Sequence, residues 1–115
     1  MSENKRFTLR NQQEELDNFT DEDIIDFLEN LYSDWNEFIV LSAEDIPIDG
    51  VSFVQAFWND DILHTEIGVL TEENPKLALY ENDMPMEEGR KLFLGFFHGK
   101  WRGNLNEFSL CKMQP

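Results

Sequence analysis

Cysteine is nearly missing from this chain of 115 residues: Cys111 stands alone, so no intrachain disulfide can form. Basic residues are scarce as well, 9 Lys and Arg against 24 Asp and Glu, for a formal net charge of −15. That scarcity argues against direct binding to nucleic acid, whose phosphates would be repelled. It also argues against docking on an anionic membrane surface. No apolar run approaches the roughly 20 residues that a transmembrane helix needs. Behind the early charges of Met1-Ser2-Glu3-Asn4-Lys5-Arg6 there is no apolar stretch, so a secretory signal is not expected. With one cysteine and no such signal, a cytoplasmic location is the expectation. One Cys and two His, His64 and His98, do not make a structural zinc site without carboxylates or a second chain. The 6 glycines are scattered. The chain has no Gly-rich phosphate loop, no Gly-x-Ser-x-Gly elbow and no His-Glu-x-x-His pattern. The sequence therefore assigns no catalytic residue, no cofactor and no metal.

What is present is a greasy interior inside an acidic shell. Apolar residues make up 41% and aromatic residues 13%, too much for a disordered acidic tail. The length suits one domain over 1–115. The charge is uneven along it. Residues 1–61 hold sixteen acids and three bases, a net of −13, whereas 62–115 hold eight acids and six bases, a net of −2. An electrostatic function is to be sought in the first half.

Residues 1–19 are expected to supply a short edge strand, within Lys5 to Asn11, and a polar loop. Thr20-Asp21-Glu22-Asp23 is a helix start: Thr20 can cap, and three acids suit the positive end of the dipole. Ile24, Phe27, Leu28, Leu31 and Trp35 follow at helical spacing, which predicts a helix from about Asp21 to Ser33. Strands are expected at Phe38–Leu41, Val51–Trp58, Ile62–Leu70 and Leu77–Tyr80. Asn59-Asp60-Asp61 joins the middle two, a pairing that places Gln55 near Glu66. In the third, Leu63, Thr65, Ile67 and Val69 share one face and His64, Glu66 and Gly68 the other. A second helix begins near Met84-Pro85-Met86, buries Met86, Phe93, Phe96 and Phe97, and ends at Gly99. Phe108, Leu110 and Met113 lie in a short final segment with strand character. Adjacent strands flanked by helices indicate an α+β fold: an antiparallel sheet of about four to five strands with helices packed on one face.

Glu22, Asp26 and Glu29 stand three or four residues apart and form one carboxylate stripe on the exposed side of the first helix. Such a stripe is usually a solvated face. Combined with the overall charge, it is also a surface for a Lys/Arg-rich partner. Asp60 and Asp61 extend it, although Asp is also common in turns. Trp58, beside that turn, is read either as core packing or as an exposed binding anchor. His64 and Glu66, on one strand face, have the spacing of an acid–base pair but lack a nucleophile or a third orienting group. His98 suits a helix C-terminus without any ligand role.

The whole pattern resembles the small acidic immunity proteins of bacterial polymorphic-toxin and contact-dependent growth inhibition systems. The resemblance runs over about residues 20–101. It rests on the N-terminal helix with its Trp-containing end, Phe38-Ile39-Val40-Leu41, Phe53-Val54-Gln55-Ala56, His64-Thr65-Glu66-Ile67-Gly68, and the helix from Met86 to Phe97 with Gly99-Lys100-Trp101 after it. It implies a non-enzymatic antitoxin that covers the cationic active-site cleft of a cognate protein toxin, often a nuclease or nucleic-acid deaminase. The contact residues expected on this basis are Glu22, Asp26, Glu29, Trp58, Asp60 and Asp61. A DNA-mimic inhibitor of a nucleic-acid-binding protein, a small enzyme using His64 and Glu66, and an adaptor subunit whose acidic surface serves only solubility are the rival readings.

Overall fold

The computed structural model describes residues 7–32, 37–44, 50–59, 61–69, 78–100 and 107–113. Its elements follow in the order β1 (Phe7–Arg10), β2 (Glu15–Leu16), α1 (Asp21–Tyr32), β3 (Ile39–Ala43), β4 (Val51–Asn59), β5 (Ile62–Val69), β6 (Ala78–Met84), α2 (Met86–Phe97) and β7 (Ser109–Met113). All strands form one antiparallel sheet in the order β2-β1-β3-β4-β5-β6-β7. The fold is therefore α+β as expected, but the sheet is larger. Six strands have four or more residues, and the two-residue β2 is added at one edge.

The differences have local causes. Asn11 builds a tight turn: its side-chain Oδ1 accepts the backbone N–H groups of Gln13 and Glu14, at 2.8 and 2.9 Å. The chain turns back there, Leu16 pairs with Leu9, and β1 is covered rather than left as an edge. β6 runs on to Met84 instead of stopping at Tyr80, and the C-terminal segment pairs with it as β7.

Alternation in the strands assigns the two faces of the sheet. Phe7 and Leu9, Ile39 and Leu41, Val54 and Ala56, and Leu63 and Ile67 all point into one core. From the other side that core receives Ile24, Phe27, Leu28 and Leu31 of α1 and Met86, Leu92, Phe93 and Phe96 of α2. The helices run antiparallel: His98, capping the end of α2, bonds to Asp21 at the start of α1, while Glu29 and Arg90 approach at the other end.

Their boundaries have clear chemistry. The backbone N–H of Thr20 donates to the Asp23 carboxylate at 2.9 Å, one half of a capping box. At the end of α2, Lys100 N–H reaches Gly95 O and Gly99 N–H reaches Phe96 O, a Schellman motif with Gly99 at φ 86°. Gly89, in the first turn of α2, lets the helix sit directly on β5. A Cβ there would run into Leu63.

One inward side chain does not match its surroundings. Thr65 is fully buried, and its hydroxyl has no hydrogen-bond partner among the described residues. Leaving such a group unpaired costs about 1–3 kcal/mol. Thr65→Val keeps the shape and removes the hydroxyl, so the urea midpoint should rise by the equivalent of about 1 kcal/mol. A fall would mean that this hydroxyl is satisfied in solution.

Candidate functional site

The face of the sheet opposite the helices carries the densest polar cluster among the described residues. Its middle is His64, on β5 and 17% exposed. Register builds the rest. Gln55 on β4 pairs with Glu66, Glu66 with Glu81 on β6, and His64 with Asp83, so these side chains share the open face. His64 Nδ1 meets Asp83 Oδ1 at 2.6 Å. Its Nε2 meets Glu66 Oε2 at 3.2 Å and Glu81 Oε1 at 3.3 Å. Gln55 donates through Nε2 to the other oxygen of Glu66 at 2.6 Å. The Phe57 ring lies against the imidazole with centroids 4.8 Å apart.

Grooves flank the cluster on both sides. One, about 270 Å³, runs over β1, β3 and β4 and includes Arg10, Phe38, Val40 and Phe57. The other, about 320 Å³, is lined by His64, Glu81, Asn82, Asp83 and Ser109.

Burial, the largest single influence on His64, favours its neutral form. The hydrogen bonds to Asp83 and Glu66 and the charges of those carboxylates outweigh it, and the pKa rises above its ordinary 6.5. The folded protein thus holds this proton more tightly than the unfolded chain. The resulting stability is complete below 6.5 and is lost as pH rises through the folded-state pKa. Urea midpoints should fall over that window, and His64→Gln should flatten the slope.

The acidic stripe forms as expected. Glu22, Asp26 and Glu29 are all exposed on the outside of α1. Arg90 approaches Glu29 at 3.9 Å, across the surface of the helical layer. Asp61 is exposed at the β4–β5 turn, the end of the sheet over which α2 begins. Asn59 pairs with Ile62, which leaves only Asp60 and Asp61 between the strands. Asp60 itself, with Trp35 and Trp101, lies outside the described residues.

Of the two readings of Trp58, the structure favours core packing over an exposed anchor. It shares strand parity with Val54 and Ala56, is half-buried, and packs against the core on the helix-covered side. Phe57, its neighbour, is instead the exposed large hydrophobe among the described residues, at 41%, on the open face. The parity of β4 would have found this, because Phe57 shares a face with Gln55.

The predicted nearness of Gln55 and Glu66 is present in the structure, whereas Glu81 and Asp83 were missed. Asn82-Asp83 before Pro85 reads as a turn, yet it belongs to the strand that completes the cluster. No family model, no curated protein and no solved structure matches this chain.

Proposed function

We propose that this chain is a protein-binding inhibitor of the immunity-protein type. It would act in the cytoplasm by covering the cationic cleft of a toxin that processes nucleic acid. The observation that carries the reading is the outer face of α1, where Glu22, Asp26 and Glu29 present three exposed carboxylates with Arg90 as the nearby cation. A cleft evolved for a polyanion is basic, and such a stripe both steers encounter and fixes orientation. The net charge of −15 adds long-range attraction for a basic partner.

The test is a pull-down with the product of the adjacent upstream gene, followed by growth rescue when both are co-expressed. Capture together with rescue supports the reading. Capture of a harmless nucleic-acid-binding protein favours the DNA-mimic alternative, and an upstream product that is neither bound nor toxic removes the toxin from the proposal.

A further inference from the structure

We propose that His64, Glu66 and Glu81 bind a divalent first-row transition ion of the zinc class, clasping β5 to β6 on the open face of the sheet. This site is independent of the acidic stripe on α1 and of any partner docking there. Nε2 of His64 and one carboxylate oxygen from each glutamate lie within 4.8 Å of one another. Metal–ligand bonds of about 2.1 Å place neighbouring ligand atoms about 3.0–3.4 Å apart, in octahedral or tetrahedral geometry. The two edges that meet at Nε2 already have that length, 3.2 Å to Glu66 and 3.3 Å to Glu81.

The other nitrogen behaves differently. Nδ1 makes a tight 2.6 Å bond to Asp83. That bond fixes the tautomer and turns Nε2 toward the glutamates, as an outer carboxylate does behind a metal-bound histidine. Glu66 is oriented in the same way by Gln55, which holds the oxygen that faces away from the site. Two of the three ligands therefore have an outer partner in place.

Charge favours the same occupant. Glu66 and Glu81 sit directly opposite in the ladder, an arrangement that repels. A single proton on His64 leaves the cluster, with three carboxylates, at a net of −2; a dication on neutral imidazole leaves −1. The groove of about 320 Å³ beside His64 and Glu81 has room for the waters that complete coordination. An imidazole ligand and so few oxygens select against calcium, which takes six to eight oxygens at longer range.

The experiment titrates ZnCl2 into the full chain at near-neutral pH by calorimetry, with thermal unfolding in parallel. One ion per chain should bind and raise the unfolding temperature, and a large excess of MgCl2 should not displace it. Glu81→Gln alters a half-exposed side chain at the edge of the cluster, so its fold is kept, and it should weaken zinc at least tenfold. Asp83→Asn should weaken it by about 10–100-fold while leaving all three ligands present. CoCl2 should give visible absorption bands that His64→Gln abolishes. The triple variant Glu22→Gln, Asp26→Asn, Glu29→Gln removes as many carboxylates elsewhere and should bind zinc as the parent does. Equal weakening in that triple variant, or full affinity in Glu81→Gln, would show diffuse counterion binding and overturn the site.

Discussion

Phe93→Ala lowers the unfolding free energy by about 3–5 kcal/mol. Phe93 is fully buried in the middle of α2, between Leu92 and Phe96, which are also in the core. Truncation removes a large apolar surface from the core and leaves a space that the sheet below cannot fill, because the strands are fixed by hydrogen bonds along their length. α2 cannot sink to close the gap either, since Gly89 already brings the helix against Leu63. A domain of this size has about 5–15 kcal/mol in total, so the variant should be near its folding limit. Urea unfolding is the measurement, with the midpoint falling at unchanged slope. Phe57→Ala is the comparison: that ring is 41% exposed on the open face and its loss should cost far less. Equal losses at the two positions would contradict the assignment of helix-covered and open faces.

That assignment was largely legible in the sequence, for reasons that differ between elements. α1 announces itself through Thr20, the acids of its first turn and the apolar spacing of Ile24, Leu28 and Leu31. β5 does so by alternation from Leu63 to Val69, with Thr65 as the polar member of the inward face, and its pairing with β4 follows from the short connection at Asn59-Asp60-Asp61, a register that sets Gln55 against Glu66. Periodicity could not reveal β2, because two residues carry no period. Nor could it extend β6: Glu81-Asn82-Asp83 has the composition of a turn, and it is a strand because β5 pairs along it from Ala78 to Met84. The polar cluster was therefore half visible. His64, Glu66 and Gln55 lie on strands with clear patterns, while Glu81 and Asp83 come from the strand whose local chemistry points elsewhere. Trp58 is a simpler case: core packing was one of its two readings, and the parity it shares with Val54 and Ala56 decides for it.

Reversing the stripe on α1, with Glu22→Lys, Asp26→Lys and Glu29→Lys together, should slow association with a basic partner by about 10- to 1,000-fold at low salt. Six units of charge change on one helix face, against a chain total of −15. The effect belongs mainly to the association rate, because steering acts before contact, and it should shrink as salt screens the field over about 10 Å. The parent complex should weaken steeply with added salt, and the variant should not. Folding is little affected, since all three side chains are exposed and the Glu29–Arg90 contact, 3.9 Å apart at the surface, contributes at most about 1 kcal/mol. Glu22 also lies in the first turn, where a negative charge favours the helix. The double variant Asp26→Lys, Glu29→Lys leaves that interaction intact and separates a helix effect from a binding effect. Stopped-flow association at two salt concentrations decides the matter. If the triple variant associates at the parent rate, the partner approaches from another side, and the open face with Phe57 and the His64 cluster becomes the surface to mutate next.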